Sequence, residues 1–492
     1  MKTLLINPPH TAIGHRMADE HLPPLGLLSV AGPLLDNGFS VELLDADLEL
    51  LTPSQIADEV LRRQPQVIMF GDSGSSAVHA DVLALCQDLK HAMPELVIIY
   101  GGAYPSAHWH EILSQSTGID IIVRGEGEQT TLNLMLALHY GDPLDGVDGI
   151  AFRRSAQVIA TVRAALIGQL DNYRVAWELI NHRHYSCWGG KRAVVVQLSR
   201  GSPATPGSER GQRGDGGQWR HRDPVKLAQE LARLHRDKGV ELVSFADELP
   251  TGSRQTWRAF LEALIAEKVP LLLLGTTRAG DIVRDADILP LYRQAGVMRL
   301  VLDTESRDKA TLQAIALLRQ HGIISMTTRV LGVQQRSDRD YWHSLRQLLR
   351  QDPDQIELLY ARPNRWTPFY RNLQEREAIR TDKQGADDDQ RPAQGASGMA
   401  PWRVFAWFKL IEGVLQMRPK ALARMLFHPD ARYRRAMRWY SRTGQRAWFH
   451  EVFDFMFKAR EREAMLQGPD EPDEPDYPMT ILQADPPRQK ER

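Results

Sequence analysis

Short runs of branched and aliphatic residues alternate along this chain with stretches whose apolar residues recur every three or four positions. No feature restricts the fold more. In the first 145 residues, Thr3–Ile6, Ser40–Leu44, Val67–Phe70, Leu96–Tyr100 and Ile119–Val123 read as five buried strands. Between them, residues 27–37, 53–64, 77–92 and 130–140 carry the helical period. Strands alternating with helical stretches in this way predict a parallel, doubly wound sheet.

A segment containing Trp177, Tyr185 and Trp188 leads into a second run of the same alternation. Ala193–Leu198, Leu242–Phe245, Pro270–Leu274, Val297–Leu302, Ile323–Leu331 and Gln355–Leu359 read as strands, with helical patterns over 224–238, 254–268, 286–295, 309–321 and 340–350. Six βα units are too few to close an eight-stranded barrel, so the pattern predicts an open partial barrel. The stretch after Ile315 is short for the crossover it must make. From residue 401 the sequence turns helical, aromatic and basic together, and residues 467–492 are rich in proline and aspartate, the composition of a disordered tail.

At 492 residues the chain has room for about three domains. The expected boundaries are 1–145, a linker over 146–190, 191–370, 371–465 and a tail over 466–492. A formal charge of −1 gives no bulk attraction to nucleic acid. No stretch approaches the roughly 20 apolar residues that span a bilayer, and the opening MKTLLINPP breaks at two prolines before a signal-peptide core forms, so a cytoplasmic protein is expected. The two cysteines, Cys86 and Cys187, supply neither a disulfide framework nor an all-cysteine metal site.

In a doubly wound sheet, ligands bind outside the carboxyl ends of the strands. The unusual residues of the first module fall there: Asn7-Pro8-Pro9-His10, Asp45-Ala46-Asp47, Gly71 to Ser76, Gly101-Gly102-Ala103-Tyr104-Pro105 and Arg124-Gly125-Glu126-Gly127-Glu128. Any one of these glycines is explained by a tight turn. All five loops on one rim, with neither a G-x-G-x-x-G fingerprint nor a phosphate-loop lysine, leave a flavin, a corrinoid or a sugar nucleotide as candidates.

The strings LLINPP, PPLGLLS (Pro23 to Ser29), YGGAYPSAHW (Tyr100 to Trp109) and VRGEGE (Val123 to Glu128) resemble the cobalamin-binding domain that precedes radical S-adenosylmethionine (SAM) enzymes. The fold this implies is α/β: an N-terminal flavodoxin-like (Rossmann-type) cobalamin-binding domain, then a six-unit partial (β/α) barrel of radical SAM type, then a mainly helical C-terminal region. The resemblance assigns cobalamin contacts to Asn7, Pro9, Ser73, Ser75, Gly101, Gly102, Tyr104 and Glu126. The cobalt-ligating D-x-H-x-x-G motif of related modules is absent, and His10, His79 and His108 read as loop or surface residues. Cobalamin is therefore expected without a histidine beneath it.

Radical SAM enzymes hold a 4Fe-4S cluster with three cysteines at C-x3-C-x2-C spacing, in the loop after the first barrel strand. Gln197 to Gly201 and Trp219 to Pro224 match the flanks of that loop. The cluster positions themselves hold Ser202, Pro206 and Glu209, so the cluster that the resemblance implies lacks its ligands in this sequence. Residues 202–218 and 382–400 share a polar, glycine-rich composition between in-register flanks. Either a pair of compensating reading-frame shifts in the coding sequence or divergence to a clusterless protein would produce it. For SAM, the resemblance implies contacts from Asp247 and Glu248 after the second strand, Glu305 after the fourth and Gly332 after the fifth.

The aromatic and basic C-terminal pattern, with the Trp-Arg-His-Arg-Asp-Pro run and the His108-Trp109 pair, is similar to the anaerobic magnesium-protoporphyrin IX monomethyl ester cyclases of bacteriochlorophyll synthesis. That resemblance implies an oxidoreductase of photosynthetic, oxygen-free metabolism. It builds the isocyclic, fifth ring of Mg-protoporphyrin IX 13-monomethyl ester, with water as the oxygen source. Cobalamin, SAM and a 4Fe-4S cluster are its implied cofactors, and an electron donor its implied partner. Two other classes stay open. One is a clusterless, non-catalytic relative that binds cobalamin or a tetrapyrrole; the other is a flavodoxin-like oxidoreductase fused to an unrelated barrel.

Overall fold

The computed structural model describes residues 1–9, 21–72, 77–155, 157–201, 219–303, 309–331, 337–360 and 399–457. Its first sheet has the strands β1 (Lys2–Asn7), β2 (Ser40–Asp45), β3 (Val67–Asp72), β4 (Val97–Gly102) and β5 (Ile121–Val123). They lie parallel in the order β2-β1-β3-β4-β5. Side chains alternate between two cores, Leu4, Ile6, Ile68, Phe70 and Ile98 on one face and Leu5, Val67, Met69 and Ile99 on the other. That is why the inner strands β3, β4 and β5 open on runs of apolar residues, whereas the edge strand β2 carries Glu42.

The first sheet continues past residue 145. Part of the 146–190 stretch, expected to be a linker, forms β6 (Ile150–Arg154) and β7 (Gln157–Ala160), an antiparallel hairpin added to the free edge of β5. The hairpin leaves β7, half-buried at its centre and exposed at both ends, as the outer edge. A helix over Ala103–Gln115 also escaped the periodicity. Pro105 and two glycines obscure it in sequence, but proline in a first helical turn forfeits no hydrogen bond.

The second sheet comprises β8 (Ser186–Cys187), β9 (Lys191–Val196), β12 (Leu242–Phe245), β13 (Leu272–Arg278), β14 (Val297–Asp303), β15 (Ile324–Leu331) and β16 (Gln355–Tyr360), in that spatial order. From β9 to β16 all pairs are parallel and sequential, and β8 and β16 stand at opposite edges, so the barrel is half-open. Among the described residues, the helix Lys309–Gln320 carries the chain from β14 to β15, which pair in parallel; the short crossover suffices. Between β9 and β12, the two-residue strands β10 (Ser199–Arg200) and β11 (Arg220–His221) pair antiparallel, bringing together the two ends of the 202–218 segment.

One helix, Ala431–Phe457, spans the barrel's opening from edge to edge. Tyr433 and Met437 join Trp188, Leu242, Leu274 and Ile324 in an apolar plug inside the sheet. At the other edge the Ile356 N–H donates to Tyr440 Oη at 3.1 Å, and the Tyr440 hydroxyl donates back to the Ile356 carbonyl, so a side chain satisfies the edge strand's backbone. Arg418 and Arg424 fasten the helical region from below through Asp352 at 3.0 and 2.8 Å. With the lower end plugged, the lumen faces the carboxyl ends of the strands. By period two from the plug residues, Ser244, Thr276 and Thr328 line it.

Candidate functional site

The chain runs from β1 out to β2 and returns to β3 on the other side, so the crevice of the first sheet opens above the ends of β1, β3 and β4. Gly101 and Gly102 end β4 there. A Cβ on Gly101 would sit 3.7 Å from the nearest protein atom, so the protein itself leaves room at that position. Gly102 has φ 129°, a backbone conformation open to glycine alone, and it caps the helix Ala103–Gln115. In the first turn of that helix, Tyr104 stacks on His108 at 4.2 Å and packs against His79 at 4.6 Å. His79 is not the loop or surface histidine its sequence context suggested. It is largely buried with no partner on Nδ1, and burial with His108 nearby pushes it down to about 4, so it is a neutral imidazole at physiological pH.

Asn7 points into the protein and donates to Asp45 Oδ1 at 2.7 Å. Asp45 also accepts from the Tyr185 hydroxyl at 2.8 Å and faces His21 Nε2 at 3.0 Å, while His21 Nδ1 lies 3.2 Å from Asp47. Burial alone would raise the Asp45 carboxyl, but contacts with His21, Asn7 and Tyr185 hold it below the usual carboxylate range. This buried node ties the segment entering β8 to the ends of β1 and β2.

The two sheets meet through charge. Glu126 accepts from both terminal nitrogens of Arg220, at 2.9 and 2.8 Å, and from the Ile167 N–H at 2.7 Å. Arg200 donates to Glu128 at 2.7 and 3.3 Å. Burial would raise Glu126, yet Arg220 and the Ile167 amide keep it ionised and its pKa lowered. The arginines sit on β10 and β11, at the base of the 202–218 segment; after β5, Glu126 caps the helix Gly127–Tyr140 and Glu128 lies in its first turn. Asp247 secures the same base from the barrel side, accepting from the Leu198 N–H at 2.9 Å and from the Ser199 N–H and hydroxyl. Its almost complete burial pushes it up to about 6 despite those donors.

Of the residues assigned from sequence, Gly101, Gly102 and Tyr104 lie together on the rim. Asn7 and Glu126 lie beside it, but their side chains are engaged within the protein. Pro9 ends a described stretch, half-buried. Asp247 is committed to the loop base, and Glu248 follows it half-buried. Ser73, Ser75, Ser202, Pro206, Glu209, Glu305 and Gly332 lie outside the described residues. Sequence reasoning missed Arg200, Arg220, His79 and the His21–Asp45–Tyr185 node. Paired glutamates in one module and paired arginines flanking a loop in the next were a signal for the first two.

The rim suits a corrinoid: glycine backbone with space above it, an aromatic wall, and an orphaned imidazole nitrogen in that wall. The thiolate set for a cluster does not fit this chain. Serine and proline at two of the three positions are not thiolate ligands, Cys86 is buried in the first core with its thiol pushed up, and Cys187 lies in β8. Among the described residues no group of three or more histidine, cysteine or carboxylate side chains could hold a metal.

Residues 16–135 match the model of the B12 binding domain. Two solved structures share the fold. One is the radical SAM methyltransferase TsrM from Kitasatospora setae, with cobalamin and a [4Fe-4S] cluster bound, at a TM-score of 0.66 over 92% of this chain and 100% of that one, with 13% identity. The other is the cobalamin-dependent SAM radical enzyme OxsB, at 0.63 over 94% and 74%, with 16% identity. The chain thus has a B12 binding domain followed by a half-open barrel, the fold of those cobalamin- and SAM-dependent enzymes. Within it, the chain is 49% identical over 94% of both sequences to the anaerobic magnesium-protoporphyrin IX monomethyl ester cyclase of Synechocystis sp.. It is 26% identical over 76% of this chain and 64% of the relative to the cyclase of Cereibacter sphaeroides. The chain belongs to the anaerobic magnesium-protoporphyrin IX monomethyl ester cyclase family, a family of enzymes.

Two outcomes follow from this geometry. Gly101→Val fills space the protein leaves open, so it should cut uptake of aquocobalamin at least tenfold, read by equilibrium dialysis, while circular dichroism stays unchanged. Unchanged uptake would move the corrinoid off this rim. Asp247 has a raised pKa, so its contribution to stability is fullest below about pH 4 and declines as pH rises through about 6. Urea unfolding of the wild type minus that of Asp247→Asn should therefore fall across this window, by an amount on the order of 2 kcal/mol. A difference independent of pH would show that Asp247 does not titrate there.

Proposed function

We propose that this chain acts on magnesium-protoporphyrin IX monomethyl ester in the oxygen-independent closure of the isocyclic ring, with water as oxygen source and an external electron donor, in anaerobic cytoplasm. The observation that carries this reading is identity of 49% across 94% of both chains with a cyclase of that name. A bound corrinoid would supply cobalt redox and alkyl-transfer chemistry above the β4 rim. Gly101 would admit its close approach, and the Tyr104–His79 wall would flank it. Glu248 and the open lumen behind Asp247 would receive SAM, whose ammonium suits a carboxylate. Asp247 itself would act on the loop base by holding Leu198 and Ser199.

The side chains of Ser202, Pro206 and Glu209 favour a second reading: a clusterless relative that retains corrinoid or tetrapyrrole binding without radical chemistry. The two readings separate in one experiment. The chain as written, reconstituted anaerobically with iron and sulfide, should take up no cluster and release no 5′-deoxyadenosine from SAM. The triple variant Ser202→Cys, Pro206→Cys, Glu209→Cys should gain roughly four irons per chain and cleave SAM. Ring closure by that variant supports the cyclase scaffold. Iron uptake and SAM cleavage with no turnover of magnesium-protoporphyrin ester would overturn it, and a cluster on the chain as written would overturn the clusterless reading.

A further inference from the structure

The helix that closes the barrel has a second, outward face that neither the plug nor the neighbouring helices use. Along Ala431–Phe457 the exposed residues recur at three and four positions: Arg435, Arg438, Arg442, Arg446, Phe449, Phe453 and Met456, with Phe457 beside the last. The first half of this stripe is wholly cationic and the second wholly apolar. Phe449 and Phe457 are 66% and 67% exposed, well beyond what isolated surface aromatics require.

The arginines are unusual in their company. Among the described residues, Arg435, Arg442 and Arg446 have no carboxylate partner, and Arg438 donates to the Arg434 carbonyl alone. The helix's own acids face elsewhere: Glu451 pairs with Lys409 on the inner side, and Asp454 is buried. His450, 3.7 Å from Asp454, is the other titratable group beside the stripe. Arg200, Arg220, Arg418 and Arg424, by contrast, are all neutralised within the fold. At the apolar end, Phe455 stacks on Phe405 at 4.1 Å, which brings exposed Trp402 of the antiparallel helix Pro401–Gln416 to the same tip.

From this we infer that the stripe is a docking surface for an anionic lipid bilayer, with the arginine row on the headgroup phosphates and the Phe449–Phe457 end in the interface. Its extent argues for a surface over a small molecule. At 1.5 Å per residue, the stripe from Arg435 to Phe457 runs about 33 Å, along one helix with no opposing wall among the described residues. Unpaired arginines complement phosphates, and aromatic side chains settle at the level of lipid headgroups. No helix among the described residues is long and apolar enough to cross a membrane, so the contact would be peripheral.

The test uses the full chain and extruded vesicles, either phosphatidylcholine alone or phosphatidylcholine mixed with phosphatidylglycerol, with bound protein read by co-sedimentation. The chain should bind the anionic vesicles, lose most binding in high salt, and bind neutral vesicles weakly. Arg435→Gln, Arg438→Gln, Arg442→Gln together should lower the partition coefficient about 100-fold, and Phe453→Ser with Phe457→Ser about tenfold or more. These side chains are exposed, so both variants should melt as the wild type does. Should either lose its fold, Arg442→Glu alone provides the same reading with one change. Equal binding to both vesicle types, or wild-type binding by the arginine variant, would overturn the inference. So would a dimer, seen by light scattering, that the phenylalanine variant dissociates while vesicles bind nothing.

Discussion

Two guanidinium–carboxylate pairs join the halves of this molecule and fix the rim after β5 against the base of the 202–218 segment. Glu126 and Glu128 follow the fifth strand of the first sheet, while Arg200 and Arg220 stand on the two short strands at the base of the 202–218 segment. Bidentate pairing fixes direction as well as distance. The pairs are mostly hidden from solvent, so losing one partner strands a buried charge. Rim loop and loop base are thus held as one object, with the lumen of the half-barrel on one side and the first sheet's crevice on the other.

Around that clamp the other polar groups divide the labour. Asp247 anchors Leu198 and Ser199 from the barrel side; the Asp45 node anchors the chain as it enters β8 from the first domain. Residues that looked like ligand contacts in sequence, Asn7 and Glu126 above all, turn out to hold protein to protein. The scaffold that would present a cluster loop to a corrinoid is therefore intact in a chain whose loop holds serine, proline and glutamate at the cluster positions. Family membership follows from identity along the whole chain.

The layout of strands was legible because burial on both faces writes an uninterrupted apolar run, and the runs at Val67 and Ile324 mark their strands to within two residues. The helix after Gly102 was not legible, since its proline and glycines are tolerated only at a first turn. Nor was the hairpin of Ile150–Arg154 and Gln157–Ala160, whose strands of five and four residues are too short for a pattern to register. For the rim, the glycines at the end of β4 stood out in the sequence because positive φ, as at Gly102, is a property of the residue itself. Partnership is a property of two residues far apart, which is why the pairing of Glu126 with Arg220 was invisible until the sheets met.

The most direct test of this account is a double-mutant cycle across the domain junction: Glu126→Gln, Arg220→Gln and the pair together, followed by urea unfolding. Either single substitution should cost about 3 to 5 kcal/mol by leaving the other charge buried, and the double variant should cost little more than one of them, a coupling of several kcal/mol. Costs that simply add would show that the two side chains act independently, and that the rim and the loop base are held together by something else.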